Sequence, residues 1–217
     1  MQLVFEQIRL GGDRNFGYLL GDRVAKVAVI VDPAYAPELL VERAGAQGLR
    51  ISHIVNTHGH SDHIEGNPRA VALTGAPVAA FAGSAAAPDI ELADGQSLPI
   101  GDLSLTCLHT PGHAEDHLVL HERHHQILLT GDLLFVGKVG GTRTDEEGRV
   151  EWVSLQRLLA AAPDDATVWP GHDYGARPTS TIGLEKSTNP FLQCEDVEAF
   201  LRFKKGWPAF KLENGLK

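Results

Sequence analysis

Short apolar runs separated by glycine-rich turns dominate the chain. Residues 3–8, 16–20 and 24–31 read as successive strands, the last ending at Asp32 and Pro33. Pro37 is placed to open a helix, since it lacks only a donor that would be orphaned there. The segment after it has apolar residues at helical spacing and stops near Gly48. Residues 51–56 then read as a buried strand. A helix is expected over 64–73, and a short strand over 78–81. Further strands are expected at 103–108, 118–121 and 127–130, and a helix over 153–161. Residues 167–169 read as a strand. A last helix over 196–204 has its cap near Glu195. No repeat, low-complexity tract or linker divides the chain, so residues 1–217 read as one domain. The alternation of strands and helices implies a layered α/β or α+β fold.

Composition narrows the function classes. With 28 acidic and 19 basic side chains the formal charge is -9, which opposes binding to phosphate backbones or anionic membranes. The Ala-rich stretch over 70–87 is interrupted by Thr74, Gly75, Pro77, Gly83 and Ser84, too often for the roughly 20 apolar residues of a membrane span. The N-terminal segment reads as a strand and turn, not a signal peptide. Nucleic-acid and membrane partners are therefore not expected, and the cytoplasm is the expected location. Cys107 and Cys194 are too few and too far apart for a disulfide framework or a metal knuckle; Cys107, in an apolar strand, reads as a buried inert thiol. Trp207, Phe210 and Leu212 either pack on the domain or form the face of a homo-oligomer.

The chemistry concentrates in Thr57-His58-Gly59-His60-Ser61-Asp62-His63, directly after a strand. Three histidines and a carboxylate fall within six residues. In an extended turn His58 and His60 point the same way, while Asp62 and His63 face a second point nearby. Neutral imidazoles and carboxylates are ligands for zinc, iron or manganese. His113, Asp132 and His172 each follow an apolar strand and a glycine, which suits a side chain presented at a sheet edge. Together these positions supply five histidines and two aspartates.

The motifs HGHSDH, PGH, TGD and PGHDY, in this order and spacing, resemble the metallo-β-lactamase superfamily over nearly the whole chain. That resemblance implies a four-layer αββα sandwich with two divalent metal ions at one edge, zinc first, with iron or manganese as alternatives. It assigns His58, His60 and His113 to one metal and Asp62, His63 and His172 to the other, with Asp132 as bridge. Within the superfamily, Gly131 to Gly137 and Gly171-His172-Asp173-Tyr174 are similar to glyoxalase II, and the tail STIGLEKSTNPFL is similar both to short glyoxalase II proteins and to the persulfide dioxygenases. In glyoxalase II the tyrosine at position 174 contacts glutathione. Gly141 stands where that family has a basic residue, and Lys138 or Arg143 are the candidates to replace it. Arg143-Thr144-Asp145 is also similar to an RTD motif of the dioxygenases. His117 matches the second histidine of a GHxxGH pattern, although Asp116 replaces the glycine before it. The helical domain that follows the sandwich in full-length glyoxalase II is not expected within this length.

A pair of metals about 3.5–4 Å apart makes hydroxide available from bridging water at neutral pH and polarises a carbonyl. Asp132 and Asp62 are the candidate catalytic carboxylates, the first fixing the metals and the second orienting the nucleophile or accepting its proton. Tyr174, Lys138 and Arg143 are the candidate substrate contacts. The leading expectation is a metal-dependent hydrolase of a small thioester such as a glutathione conjugate. The alternatives are an iron-dependent glutathione persulfide dioxygenase using His58, His113 and Asp132, and a hydrolase of another ester or lactone.

Overall fold

The computed structural model describes residues 2–213. Its first sheet contains β1 (Leu3–Gly11), β2 (Asn15–Asp22), β3 (Val27–Val31), β4 (Arg50–Val55), β5 (Val78–Phe81) and β6 (Ile90–Leu92), in that order. β1 to β3 pair antiparallel, and β3 to β6 pair parallel. The second sheet runs β14 (Ser180–Thr181), β13 (Thr167–Pro170), β10 (Ile127–Gly131), β9 (Leu118–Glu122), β8 (Leu103–His109) and β7 (Ser97–Ile100). Here only β10 and β13 pair parallel. A small hairpin, β11 (Leu134–Phe135) with β12 (Lys138–Val139), stands outside both.

Side chains alternate faces along a strand, and this sorts the apolar residues into layers. Phe16, Tyr18 and Leu20 on β2 and Val29 and Val31 on β3 meet Leu118, Leu120, Ile127 and Leu129 of the other sheet in the central core. Between them in sequence, Leu19, Ala28 and Ile30 point outward, beneath α1 (Pro37–Ala46) and α3 (Asn67–Thr74). On the second sheet Val119 and Leu128 turn outward, under α4 (Asp145–Ala161), α5 (Ile182–Thr188) and α6 (Val197–Glu213). Strands buried on both faces are why the sequence shows continuous apolar runs. The result is the expected αββα sandwich. Among the described residues no helix is long and apolar enough to cross a membrane.

Several elements differ from expectation. The strand expected from residue 24 begins at Val27, because residues 23–26 form a turn that puts Lys26 at φ 56°. The helix expected over 64–73 is two helices, α2 (Ser61–Ile64) and α3. Gly66 marks the break: a Cβ there would lie 2.3 Å from the Ala34 carbonyl oxygen, and Pro68 restarts the helix in its first turn. α4 starts at Asp145, about two turns before the expected position. The last helix continues past residue 204 and through Pro208. Phe203, Trp207 and Phe210 stack along it, and Phe191 packs on Phe203 and Trp207; Leu212 is 84% exposed. Asp196 caps it by accepting from the Ala199 amide at 2.7 Å. β6, β7, β14 and α5 lie in segments where no element was expected.

Candidate metal centre

Four strand ends deliver the predicted side chains to one edge of the sandwich. His58, His60, Asp62 and His63 follow β4, His113 follows β8, Asp132 follows β10 and His172 follows β13. All seven converge. His60 Nδ1 lies 3.1 Å from His58 Nε2 and 3.0 Å from His113 Nε2. His63 Nε2 lies 3.3 Å from His172 Nε2. Asp132 reaches both sides: Oδ1 is 3.4 Å from His63 Nε2, while Oδ2 is 3.5 Å from His113 Nε2 and 3.3 Å from His172 Nε2. Asp62 Oδ2 is 3.4 Å from His172 Nε2. Three groups can therefore hold an ion: His58, His60 and His113; His58, His63 and Asp132; and Asp62, His63 and His172.

The donors fit cations on three counts. Tetrahedral coordination at about 2.0–2.1 Å separates ligand atoms by roughly 3.3 Å, close to the spacings here. Asp132 Oδ1 is buried without a hydrogen-bond partner among the described residues, a cost that coordination removes. The third is the tautomers. Nδ1 of His58 faces Thr57 Oγ1 at 3.1 Å, and that hydroxyl already donates to Asp32 at 2.6 Å, so His58 must be the donor. Nδ1 of His63 donates to Asp32 at 2.9 Å, that of His113 to the Gly141 carbonyl at 2.8 Å, and that of His172 to the Asp13 carbonyl at 2.9 Å. With the proton on Nδ1, each of these rings in its neutral form turns a bare Nε2 to the centre. His60 turns its Nδ1 there instead.

Electrostatics among the protein's own groups follow the same plan. Burial holds His58 well below the ordinary histidine value. Burial also opposes charge on His63 and His172, but Asp132 overcomes it in both, with Asp32 helping at His63 and Asp62 at His172. His63 is raised well above the usual value, and His172 is pushed up to about 9. Burial would raise Asp132, yet His63 and His172 keep it well below the carboxylate range. The His172 contact is the main reason Asp62 is lowered too.

Several residues outside the donor set shape the centre, and Asp32, Asn15, Asn56 and Asn67 among them carried no clear signal in the sequence. Asp32, at φ 48°, takes the Thr57 amide on Oδ1 at 2.8 Å besides its bonds from Thr57 and His63. Asn15 donates to Asp62 Oδ2 at 3.1 Å. Asn56 and Asn67 exchange side-chain bonds, and Asn56 also holds the His63 carbonyl, fixing the turn to α3. His117 accepts from the Asp132 amide at 3.0 Å on Nε2, so its Nδ1 donates to Thr110 at 2.8 Å. Its burial lowers it to about 3, which keeps that acceptor free. Gly171 is needed for close approach, since a Cβ would fall 2.3 Å from Asp132 Oδ1. Gly59 serves a different approach: a Cβ there would fall 2.8 Å from Asp116 Oδ2 and 3.0 Å from the Ala85 backbone nitrogen.

Tyr174 stacks on His172, with ring centroids 4.7 Å apart, and donates to Asp13 at 2.6 Å. Lys138 Nζ sits 4.3 Å and the Arg14 guanidinium 4.8 Å from its ring centroid. Tyr174, Asp13, Lys138 and Arg14 line a cleft of about 1040 Å³ with Arg177, Glu185 and Lys211. Arg143 does not line that cleft. It borders a neighbouring cavity of about 310 Å³ with Lys204 and Lys205, and Lys138 and Trp207 line both. Cys107 is buried in the central core, and burial pushes its thiol up to about 12.

Two sheets between helices, with a His and Asp cluster at their edge whose donors fit metal ions, define the class of metalloenzymes built on this sandwich. The family model of the metallo-beta-lactamase superfamily matches residues 16–88 and 75–172, and the chain belongs to that superfamily. A hydroxyacylglutathione hydrolase of Polaromonas sp. (strain JS666 / ATCC BAA-500) is 34% identical over 178 residues, covering 79% of this chain and 67% of the relative. The mitochondrial persulfide dioxygenase ETHE1 of Homo sapiens is 34% identical over 193 residues, covering 84% and 74%. Among solved structures, ETHE1 from Myxococcus xanthus aligns with a TM-score of 0.87 at 28% identity, over 94% of this chain and 91% of its own.

Proposed function

We propose that the protein is a two-metal hydrolase that cleaves the thioester of a small acyl-thiol carrying carboxylates, an acylated glutathione being the substrate class. The observation that supports this most is the pair of donor groups, sharing Asp132, beside a cationic cleft in an otherwise acidic chain. His58, His60 and His113 would hold one cation, Asp62, His63 and His172 would hold the other, and Asp132 stands between the two groups. When bound, divalent cations there acidify a water molecule and polarise a carbonyl. Asp62, 30% exposed and the more open of the two central carboxylates, is kept ionised by His172 and is placed to accept a proton at Oδ2. A thiolate departs readily, so no strong general acid is required of the chain. Arg14, Lys138, Arg177 and Lys211 outnumber Asp13 and Glu185 along the cleft, which suits a dicarboxylate ligand laid against Tyr174.

A second reading, an iron-dependent persulfide dioxygenase, is supported by equal identity to a relative of that name and by the fold likeness to ETHE1. One experiment separates the two. Metal analysis of the protein, paired with assays on S-lactoylglutathione and on glutathione persulfide, is expected to give two metals per chain and thioester hydrolysis. One iron per chain with oxygen uptake on the persulfide, and S-lactoylglutathione left intact over hours, would replace the hydrolase with the dioxygenase.

A further inference from the structure

His113 is oriented from outside the donor set. Its Nδ1 donates to the Gly141 carbonyl at 2.8 Å, so the ring is only as well placed as residues 140–141. The neighbouring Gly140 carbonyl accepts from Lys204 Nζ at 2.9 Å. Lys204 belongs to α6, and its side chain is only 12% exposed because it also pairs with Glu151 of α4. Glu151 in turn touches the backbone that carries His113: a Cβ on Gly112, which sits at φ 137°, would fall 2.4 Å from the Glu151 Cα. One turn on, Ser154 Oγ donates to the Pro111 carbonyl at 2.6 Å. Two helices thus clamp both sides of one imidazole. A buried ion pair contributes little net stability against an apolar pair of similar volume, and Glu151 Oε1 lacks a partner among the described residues. The arrangement is a poor source of stability and a good source of geometry.

We propose that Lys204 is a positioning residue for His113, through which the last helix sets the cation affinity of the His58, His60 and His113 site. The inference rests on His113 being a donor to a cation. Lys204→Met alone strands a buried carboxylate, so the informative variant combines it with Glu151→Met. Cobalt(II) titration, followed by visible absorption and by competition with a chelator, reads each site without recourse to turnover. The paired variant is expected to keep the parent's thermal midpoint within a few degrees and to bind one cobalt as the parent does. It should bind the second about tenfold more weakly, as loss of an outer support does, with an altered absorption spectrum. Glu151→Gln alone, which leaves the Lys204 bond to Gly140 in place, should keep both affinities. Parent-like affinity at both sites in the paired variant would overturn the inference. His113→Ala separates this failure from that of the site itself: a variant still holding both cobalt ions at parent affinity removes the donor assignment, whereas loss of one ion there and none in the paired variant removes only the role of Lys204.

Discussion

Asp32 accepts three hydrogen bonds in the centre, from the Thr57 amide, the Thr57 hydroxyl and His63 Nδ1. A carboxylate suits this because it is acceptor-only. Asn adopts the left-handed backbone readily, so Asp32→Asn leaves φ undisturbed and changes only the chemistry: its amide NH2 must confront at least one of the three donors. The expected outcome is a folded protein, about 1–3 kcal/mol less stable in denaturant titration. Its metal affinity should fall roughly 10- to 100-fold in chelator competition; unaltered affinity would show that His63 needs no such partner. The seven central donors were legible in the sequence because four crowd into six residues and the others follow strand-and-glycine signatures. Asp32 was not. It stands alone before Pro33, with nothing nearby to distinguish it from an ordinary strand end, and only the chain's return at Thr57 gives it a role. His117 had a signal, its place four residues after His113, but its task of holding the Asp132 amide depends on β10 lying beside β9.

At the scale of elements, the helix that closes the site was half hidden. Its C-terminal half shows apolar spacing, whereas the first two turns read DEEGRVEW, where the buried positions are Gly148 and Glu151. Neither is apolar in sequence, so periodicity finds nothing there. The capping box was the available signal: Thr144 Oγ1 accepts from the Glu147 amide at 3.2 Å, and the Glu147 carboxylate accepts from the Thr144 and Arg143 amides at 3.1 and 2.6 Å. That box both starts α4 and pins the loop carrying Arg143. Thr144→Ala should therefore cost about 1 kcal/mol in denaturant unfolding. It should also raise protease susceptibility near residue 143 without changing metal content; an unchanged stability would mean that packing of α4 on α6, not the cap, sets where the helix begins. β6 and β7 were missed for a related reason. They are three and four residues long and acquire strand character only by adding to sheet edges already built.

For the molecule as a whole, two sheets meet at an edge where carboxylates and imidazoles face one another, and stability there depends on what neutralises them. With no cation bound, a proton does so in part. Burial resists charge on His172, but Asp132 and Asp62 overcome that resistance and push the ring up to about 9, against about 6.5 in an unfolded chain. A folded-state value above the unfolded one gives stabilisation that is complete below about 6.5 and drains away as pH rises through about 9. His63 is raised as well and acts in the same direction. His58 and His117 are lowered by burial, so their contributions are lost on acidification below about 6.5, outside this window. A bound cation requires these rings neutral and displaces the protons. The gap in thermal midpoint between metal-loaded and chelator-treated protein should therefore widen steadily between pH 6.5 and 9. A gap that stays constant across that interval would mean that His63 and His172 are not held protonated by the carboxylates around them, and that metal binding stabilises the sandwich without releasing protons from this edge.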